Sequence, residues 1–290
     1  MTDLALGTYR CRDIPRAAAH AVTRGATWID TAPNYLSGEA HTKLAPILKR
    51  HPTVRISTKT GIFTRLEGEE AARKRILTHD QAATGRSLRP DFLRWQTDRS
   101  LTALGRADLV FVHNPPGRTA LRDAFTVLEE YACDGRIGGY GIATWTGFDT
   151  RAFTVAELLE LARESTGGPE HHLKAVQFPV SLVKARPIAL ALAGRGPLVE
   201  ADAHGLSVFA SAPLHGGELT GLVTPELARL IGPGLTPAQA ALHVVASTPG
   251  VTRVLLSTDD PAHWDAALHT FALEPLPGSS LRKVMDVLGT

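Results

Sequence analysis

Four side chains of this sequence have the types and positions needed for proton transfer. Asp30, Lys59 and His113 each come at the end of a short apolar run, and Tyr35 lies five residues after Asp30. An ammonium group beside a phenol favours the phenolate, so Lys59 is expected to lower the pKa of Tyr35. Asp30 would keep Lys59 charged, and His113 could donate a hydrogen bond to a carbonyl oxygen or relay a proton. This chemistry suits the reduction of an aldehyde or ketone, with Tyr35 as the proton donor.

Each of these residues has an ordinary explanation when it is taken alone. Asp, Asn and Pro form turns, so Asp30 in "WIDTAPNY" could simply end a strand. A lone Lys or His in a strand is commonly structural. Structural roles explain the joint pattern less well, because three successive candidate strands end in Asp30, Lys59 and His113. The pattern therefore favours an active site.

Short apolar runs alternate with segments of helical spacing along the whole chain. The candidate strands cover residues 4–8, 28–32, 54–61, 108–115, 138–145, 175–181, 206–214 and 251–258. The clearest candidate helices cover residues 91–104, 119–134, 237–247 and 261–268. Strands that alternate with helices predict a parallel sheet. Eight such units in 290 residues favour a closed (β/α)8 TIM barrel that forms a single domain over residues 1–290.

An open doubly wound sheet is the alternative architecture. Such a sheet usually carries a G-x-G-x-x-G loop after its first strand, and "LGTYRCRD" lacks it. In a barrel, the chemistry lies at the C-terminal ends of the strands, where the four candidate residues would converge. The long connections 62–90 and 214–235 are expected to be loops that set substrate choice.

Composition excludes several classes of protein. Hydrophobic residues make up 43% and charged residues 21% of the chain, which is typical of a globular protein with a substantial core. A net charge of +2 predicts no nucleic-acid or acidic-membrane partner. Two cysteines form no disulfide framework and fit a reducing cytosol. The N-terminal "MTDLALGTYR" lacks signal-peptide features and no apolar run is long enough for a membrane helix, so we expect a cytoplasmic protein.

Two further groups of residues have types that occur in binding sites. Tyr9 and Phe63 come just after candidate strands and Trp145 ends one, and these aromatic side chains could either line a substrate pocket or simply pack against the protein. His171 and His172 are adjacent, but no HExxH motif and no third ligand at a useful spacing accompanies them. We interpret this pair as part of a solvated loop and predict no metal site.

The sequence resembles the aldo-keto reductase family along most of its length, as a divergent and short member. "DTAPNYLSGEAHTKLAPIL" is similar to the family pattern DxAxxYGxGxxExxLGxxL, "ISTKTG" to its lysine strand, and "SLTALGRADLVFVHNPP" to its SLxxLxxxyxDlyxxH segment. Weaker similarity covers "IGGYGIATW", "VQFPVS", "ASAPLHGG" and "VTRVLLSTDDPAHWDAAL". The resemblance implies a monomeric TIM barrel that reduces a small-molecule carbonyl substrate with NADPH. It assigns Asp30, Tyr35, Lys59 and His113 to the family's catalytic tetrad.

The same resemblance implies that NADPH lies extended across the barrel mouth. Gly7 and Thr8 would lie under the nicotinamide, and Gln177 would bind its carboxamide. The remaining cofactor positions implied by the resemblance are Thr144, Ser211, Leu214, Ser257, Thr258 and His263.

Several of these cofactor positions depart from the family. Ala143 replaces the Ser of a Ser-Asn pair, and Ser211 replaces the Tyr that commonly stacks on the nicotinamide. His263 stands where an Arg often holds the 2′-phosphate, and Asp259 and Asp260 add negative charge nearby. An Arg fork holds a dianionic phosphate well, so its loss should weaken NADPH binding.

These departures leave the cofactor open between NADPH, NADH and none, although Arg10, Arg253 or residues 214–235 could replace the missing ligands. They also leave two alternative functions open. One is redox-neutral acid/base chemistry on a carbonyl compound, such as dehydration, isomerisation or cyclisation in specialised metabolism. The other is a non-catalytic binding subunit, against which the intact tetrad argues.

Overall fold

A computed structural model describes residues 2–289 and shows eight parallel strands that close into a barrel in chain order. The strands are β1 (Asp3–Gly7), β2 (Trp28–Asp30), β3 (Arg55–Thr60), β4 (Leu109–His113), β5 (Tyr140–Ala143), β6 (Leu173–Pro179), β7 (Ser207–Ser211) and β8 (Arg253–Leu256). Each overlaps one candidate strand, so the predicted (β/α)8 architecture is confirmed.

Helices surround the barrel. They are α1 (Ile14–Thr23), α2 (Ala40–Arg50), α3 (Arg65–Arg73), α4 (His79–Ala83), α5 (Pro90–Leu104), α6 (Leu121–Cys133), α7 (Val155–Thr166), α8 (Arg186–Leu192), α9 (Pro197–Ala203), α10 (Leu219–Leu222), α11 (Pro225–Ile231), α12 (Pro237–Ala246), α13 (Pro261–Phe271) and α14 (Gly278–Leu288). Short 3₁₀ turns cover Tyr35–Gly38, Arg118–Ala120 and His215–Gly217. None of the helices within residues 2–289 is long and apolar enough to cross a membrane.

The predicted helix starts have the expected caps. At α12, Thr236 and Gln239 form a capping box and Pro237 occupies the first turn. At α13, the Asp260 side chain accepts the Ala262 N–H. Local sequence therefore determines where these helices begin.

The two long connections differ from the loops that the sequence predicted. Residues 62–90 contain α3 and α4, and residues 214–235 contain α10 and α11. The first pair is held by Phe63, Ala71, Leu77 and Phe92, which form a separate buried cluster. Short helices of this kind gain their stability from tertiary packing rather than from a long periodic pattern, so a sequence pattern does not reveal them.

The barrel interior explains how the mouth is formed. Side chains alternate between the two faces of each strand, so every second residue points into the barrel. Trp28, Phe111 and Phe209 pack there, with ring centroids 5.4 Å apart for both pairs that include Phe209. The next inward residues along β2 and β4 are Asp30 and His113. The packed aromatic layer therefore forms a floor beneath the candidate catalytic residues.

Candidate active site

A buried ion pair joins the ends of β2 and β3. Lys59 Nζ lies 2.5 Å from Asp30 Oδ2 and donates a second hydrogen bond to the backbone oxygen of Thr31 at 2.9 Å. The side chains of Lys59 and Asp30 are only 2% and 5% exposed. Each charge thus has its partner within the protein, as buried charges require.

Ser57 completes the support of Asp30 and was missed by the sequence reasoning. Its Oγ donates to Asp30 Oδ1 at 2.7 Å and accepts from Trp28 Nε1 at 3.0 Å. Ser57 lies two residues before Lys59 on β3, so strand alternation puts both on the inward face. That alternation is the signal that could have identified it.

Tyr35 and His113 complete the set at the mouth. The Tyr35 ring centroid lies 5.0 Å from Lys59 Nζ and 6.1 Å from the His113 ring, to which it is nearly perpendicular. Tyr9 stands on the other side, with its ring 5.1 Å from that of Tyr35. The structure therefore brings all four predicted catalytic side chains together.

The pKa of Tyr35 moves in the direction opposite to the prediction. Burial raises it well above its usual value, and the charge of Asp30 and the neighbouring Tyr9 raise it further. Lys59 does not outweigh these effects, because Asp30 already neutralises its charge. Burial also lowers the pKa of Lys59, although Asp30 acts in the opposite sense. The predicted lowering of the Tyr35 pKa is thus wrong, and the phenol keeps its proton.

His113 is neutral at physiological pH. Burial lowers its pKa to about 3, with further contributions from the charges of Lys59 and Arg86. Its Nδ1 atom is buried and has no hydrogen-bond partner among residues 2–289. A neutral imidazole carries one nitrogen that donates a hydrogen bond and one that accepts one.

His41 is a second neutral imidazole close to the site and was not predicted. It lies on α2, buried, with Nε2 2.9 Å from Thr58 Oγ1. Burial and the charge of Lys59 lower its pKa to about 3. In the segment similar to the family pattern, His41 occupies the position of the pattern's Glu.

Unfavourable backbone conformations cluster at this end of the barrel. Leu36, Ser37, Asn114, Ala212 and His215 are not glycines, yet they have φ angles of 47°, 54°, 49°, 48° and 49°. All of them follow the C-terminal ends of strands. Left-handed conformations of such residues persist where the surroundings impose them, commonly at functional sites. This observation supports the location of the site without any reference to side-chain chemistry.

Comparison with known proteins agrees with the geometry. The model of the Aldo/keto reductase family matches residues 7–288, nearly the whole chain. The chain belongs to the aldo/keto reductase family. This confirms the resemblance seen in the sequence, and membership supports an enzyme of the oxidoreductase class.

Individual relatives of this aldo/keto reductase are distant. Human aldo-keto reductase family 7 member A3 is 29% identical over 161 residues, which are 54% of this chain and 42% of that relative. The glycerol dehydrogenase AKR11B4 from Gluconobacter oxydans superposes with a TM-score of 0.74 at 20% identity, covering 99% of this chain and 91% of the other. The holo form of the aldo-keto reductase AKR11C1 from Bacillus halodurans superposes with a TM-score of 0.72 at 16% identity, covering 98% of this chain and 91% of the other. These structures share the fold.

Gly7 and Gln177, which were predicted to contact the nicotinamide, lie towards the mouth ends of β1 and β6 in this aldo/keto reductase. A Cβ atom on Gly7 would lie 2.9 Å from Ser257 Oγ, so β1 and β8 approach closely where both residues were predicted to contact the cofactor. Gln177 is buried, and its Nε2 has no hydrogen-bond partner within the described part of the chain. An unpaired buried amide donor fits the carboxamide oxygen of a nicotinamide. Ser211 lies at the end of β7, paired with Pro179 of β6.

Other predicted cofactor residues already have partners in the protein. Thr8 Oγ1 lies 3.1 Å from the backbone oxygen of Asp30 and 2.9 Å from Thr31 Oγ1. Thr144 Oγ1 accepts the Gly147 N–H at 2.9 Å. Leu214 packs against the hydrophobic core. These side chains shape the mouth, and their polar atoms are engaged in holding its loops.

Two carboxylates lie where the sequence predicted the adenylate end of the cofactor site. The Asp259 carboxylate accepts the backbone N–H groups of Arg12 and Asp13 at 2.9–3.2 Å. Thr258 Oγ1 accepts the Asp260 N–H at 3.1 Å, and His263 Nε2 lies 3.7 Å from Asp260 Oδ2. Backbone N–H groups that could bind a phosphate are therefore occupied by a carboxylate of the protein.

Of the two arginines suggested as substitutes for phosphate ligands, only Arg10 lies at the mouth. A Cβ atom on Gly216 would lie 2.7 Å from Arg10 Nη1, so the guanidinium reaches from the loop after β1 to the loop after β7. Arg253 begins β8 at the opposite end of the barrel, 4.5 Å from the Trp28 ring and 3.6 Å from Asp3 Oδ2.

The predicted substrate residues separate into two groups. Tyr9 is 53% exposed beside Tyr35, and Trp145 is 45% exposed with its backbone N–H bound to Asn114 Oδ1 at 2.8 Å. Both side chains are exposed and can line a pocket at the mouth. Phe63 is buried against Phe92, with ring centroids 4.8 Å apart. The prediction that Phe63 could line the substrate pocket is therefore wrong. Phe63 packs under α3 because that helix, absent from the sequence prediction, covers it.

Proposed function

We propose that this aldo/keto reductase reduces an aldehyde or ketone of a small molecule, with NADPH as the hydride donor and Tyr35 as the proton donor. The observation that carries the proposal is the buried Asp30–Lys59 pair beside a protonated Tyr35 at the barrel mouth. The proposal accounts for the ion pair, the phenol and the neutral imidazole with a single reaction.

The roles of the residues follow from their protonation states. Tyr35 holds a proton at physiological pH and can transfer it to the alkoxide oxygen that develops during reduction. Lys59 stabilises the phenolate left behind, because its ammonium lies 5.0 Å from the ring centroid. Asp30 and Ser57 hold the ammonium in place. His113 is neutral and orients the carbonyl group by a hydrogen bond.

NADPH, when bound, would supply the hydride. Gln177 offers it an unpaired amide donor, and Gly7, Arg10 and Ser257, which follow the mouth ends of β1 and β8 or lie in them, would contact it there. We retain NADPH over NADH because the family resemblance implies it. Cytoplasmic location and a monomeric state remain predictions.

Redox-neutral acid/base chemistry is the second candidate. It is favoured by Asp259, whose carboxylate occupies the backbone N–H groups at the adenylate end, and by Ser211, which provides no aromatic ring for a nicotinamide to stack on. The same Tyr35, Lys59 and His113 could then move protons on a carbonyl compound without a change of oxidation state.

Dinucleotide binding distinguishes the two candidates. The purified chain and its Tyr35→Phe variant would be titrated with NADPH and NADH by intrinsic fluorescence, and NADPH oxidation would be followed with a panel of aldehydes and ketones. The proposal expects binding in the micromolar range by both proteins, and turnover lower by about 10²- to 10⁴-fold in Tyr35→Phe. Absence of binding near millimolar concentrations, together with absence of turnover, would reject the reductase and favour the redox-neutral candidate.

A further inference from the structure

A group of three potential metal ligands lies away from the barrel mouth. Glu129 and Cys133 are four residues apart on α6, so they share one face of the helix. His172 immediately precedes β6, at the end of the barrel opposite the mouth. One ligand atom from each residue lies within 4.8 Å of the other two.

The three side chains meet at one carboxylate oxygen. Glu129 Oε1 lies 2.5 Å from His172 Nδ1 and 3.7 Å from Cys133 Sγ. The other oxygen, Oε2, accepts the backbone N–H of His172 at 3.0 Å, which fixes the orientation of the carboxylate. A hydrogen bond to the other oxygen holds the carboxylate in place, and a cation bound at Oε1 would replace the proton that Oε1 shares with His172 Nδ1.

The cluster of Glu129, Cys133 and His172 is open to solvent on one side. The Glu129 side chain is 5% exposed, the His172 side chain is 40% exposed, and Cys133 lies at the surface. A buried carboxylate therefore forms the floor, and a thiol and an imidazole form the accessible rim. A cation could enter from solvent and keep a water molecule as its fourth ligand.

The types of these ligands select the metal. A thiolate, an imidazole and a carboxylate are the usual protein ligands of Zn²⁺, whereas Mg²⁺ and Ca²⁺ take oxygen ligands. Bond lengths of about 2.0–2.3 Å in a tetrahedral site separate ligand atoms by about 3.3–3.8 Å. The Sγ–Oε1 distance of 3.7 Å fits this range already. The half-exposed His172 ring would move outward by about 1 Å to complete it.

We propose that Glu129, Cys133 and His172 form a binding site for Zn²⁺ that ties the C-terminal end of α6 to the start of β6. The two elements are far apart in sequence, since Glu129 and His172 are separated by 43 positions. The sequence-based prediction of no metal site rested on the lack of a third ligand near His171 and His172, and α6 supplies two. The N-terminal end of a TIM barrel contributes to stability rather than to chemistry, so a bound ion is expected to stabilise the fold.

Cobalt binding tests this proposal, since Co²⁺ occupies zinc sites and a cobalt–thiolate bond absorbs in the near ultraviolet. The full chain would be treated with EDTA, freed of the chelator and titrated with Co²⁺. We expect one thiolate-bound Co²⁺ per chain. Cys133→Ser should remove the thiolate absorption and weaken binding by at least about 10-fold, as even the loss of an outer-shell partner does.

Two matched variants serve as controls. Cys11→Ser removes the other thiol of the chain, and His171→Gln removes the imidazole adjacent to His172. Both should keep the absorption, whereas His172→Gln should weaken binding as Cys133→Ser does. No thiolate absorption in the unaltered chain, or absorption that survives Cys133→Ser, would overturn the proposal.

Thermal unfolding gives a second readout. Zn²⁺ at about 100 times its dissociation constant should raise the midpoint by about 4 °C for a chain of this size. The shift should be absent from both Cys133→Ser and His172→Gln, so that one poorly folded variant would not decide the outcome. An equal shift in all proteins would show non-specific binding and contradict the site.

Discussion

Lys59 Nζ lies 2.5 Å from Asp30 Oδ2, and both side chains are buried at the mouth of the barrel. The pair is neutral as a unit, which is why Lys59 does not overcome the burial that raises the pKa of Tyr35. Burial therefore keeps the Tyr35 phenol protonated, and the paired Lys59 does not offset it.

Removal of one member of this pair should destabilise the fold. Lys59→Met leaves the Asp30 carboxylate buried without a cation, which should lower the free energy of unfolding by about 3–5 kcal/mol. Asp30→Asn combined with Lys59→Met should recover most of that loss, because no charge remains. Urea denaturation measures the free energy of unfolding of the single and the double variant. Lys43→Met, which breaks an exposed pair with Glu39, should change stability by less than about 1 kcal/mol. A double variant as unstable as Lys59→Met would contradict the argument.

His41 should make stability depend on pH. Its pKa falls from the usual 6.5 to about 3 on folding, so between these values the unfolded chain binds a proton that the folded chain does not. The free energy of unfolding should therefore decrease as pH falls below 6.5, by about 1.4 kcal/mol per pH unit for this residue. His41→Gln can keep the hydrogen bond to Thr58 and should reduce the slope by that amount between about pH 6 and pH 5. Urea denaturation across this range checks it, and an unchanged slope would argue against a buried neutral His41.

An aromatic ring at position 211 should strengthen dinucleotide binding. Ser211→Tyr restores the residue type that the family commonly stacks on the nicotinamide, and such stacking contributes about 0.5–1.5 kcal/mol, or about 2- to 12-fold in affinity. Fluorescence titration with NADPH measures it. Ser211→Ala is the control, since it also removes the hydroxyl but adds no ring. Equal affinities for the two variants would show that no nicotinamide lies against β7.

The charge of Asp259 should weaken NADPH binding more than NADH binding. Asp259→Asn keeps an oxygen that can accept the Arg12 N–H and removes the negative charge. NADPH should bind about 3- to 10-fold more tightly at low ionic strength, with a smaller change for NADH. Titrations at low and high salt measure this difference. Asp202→Asn, at the C-terminal end of α9 just before β7 and therefore at the opposite end of the barrel, makes the same change in net charge, so an equal gain in that variant would exclude a local effect.

The sequence alone determined the architecture, and it predicted which residues meet at the barrel mouth. Strands of β-branched and apolar residues alternated with capped helices, and these local signals sufficed to predict the eight strands of the barrel. Because the C-terminal ends of parallel strands meet at one mouth, the positions of Asp30, Lys59 and His113 along the chain already implied that they converge.

The tertiary structure decided what depends on burial and on contacts between distant segments. The direction of the Tyr35 pKa followed from its desolvation, and Phe63 turned away from the mouth because α3 covers it. Glu129 and Cys133 met His172 only because α6 packs beside the start of β6. A spacing pattern describes neighbours along one helix or strand. Desolvation and contacts between elements arise only once the folded interior excludes water and brings residues from distant parts of the chain together.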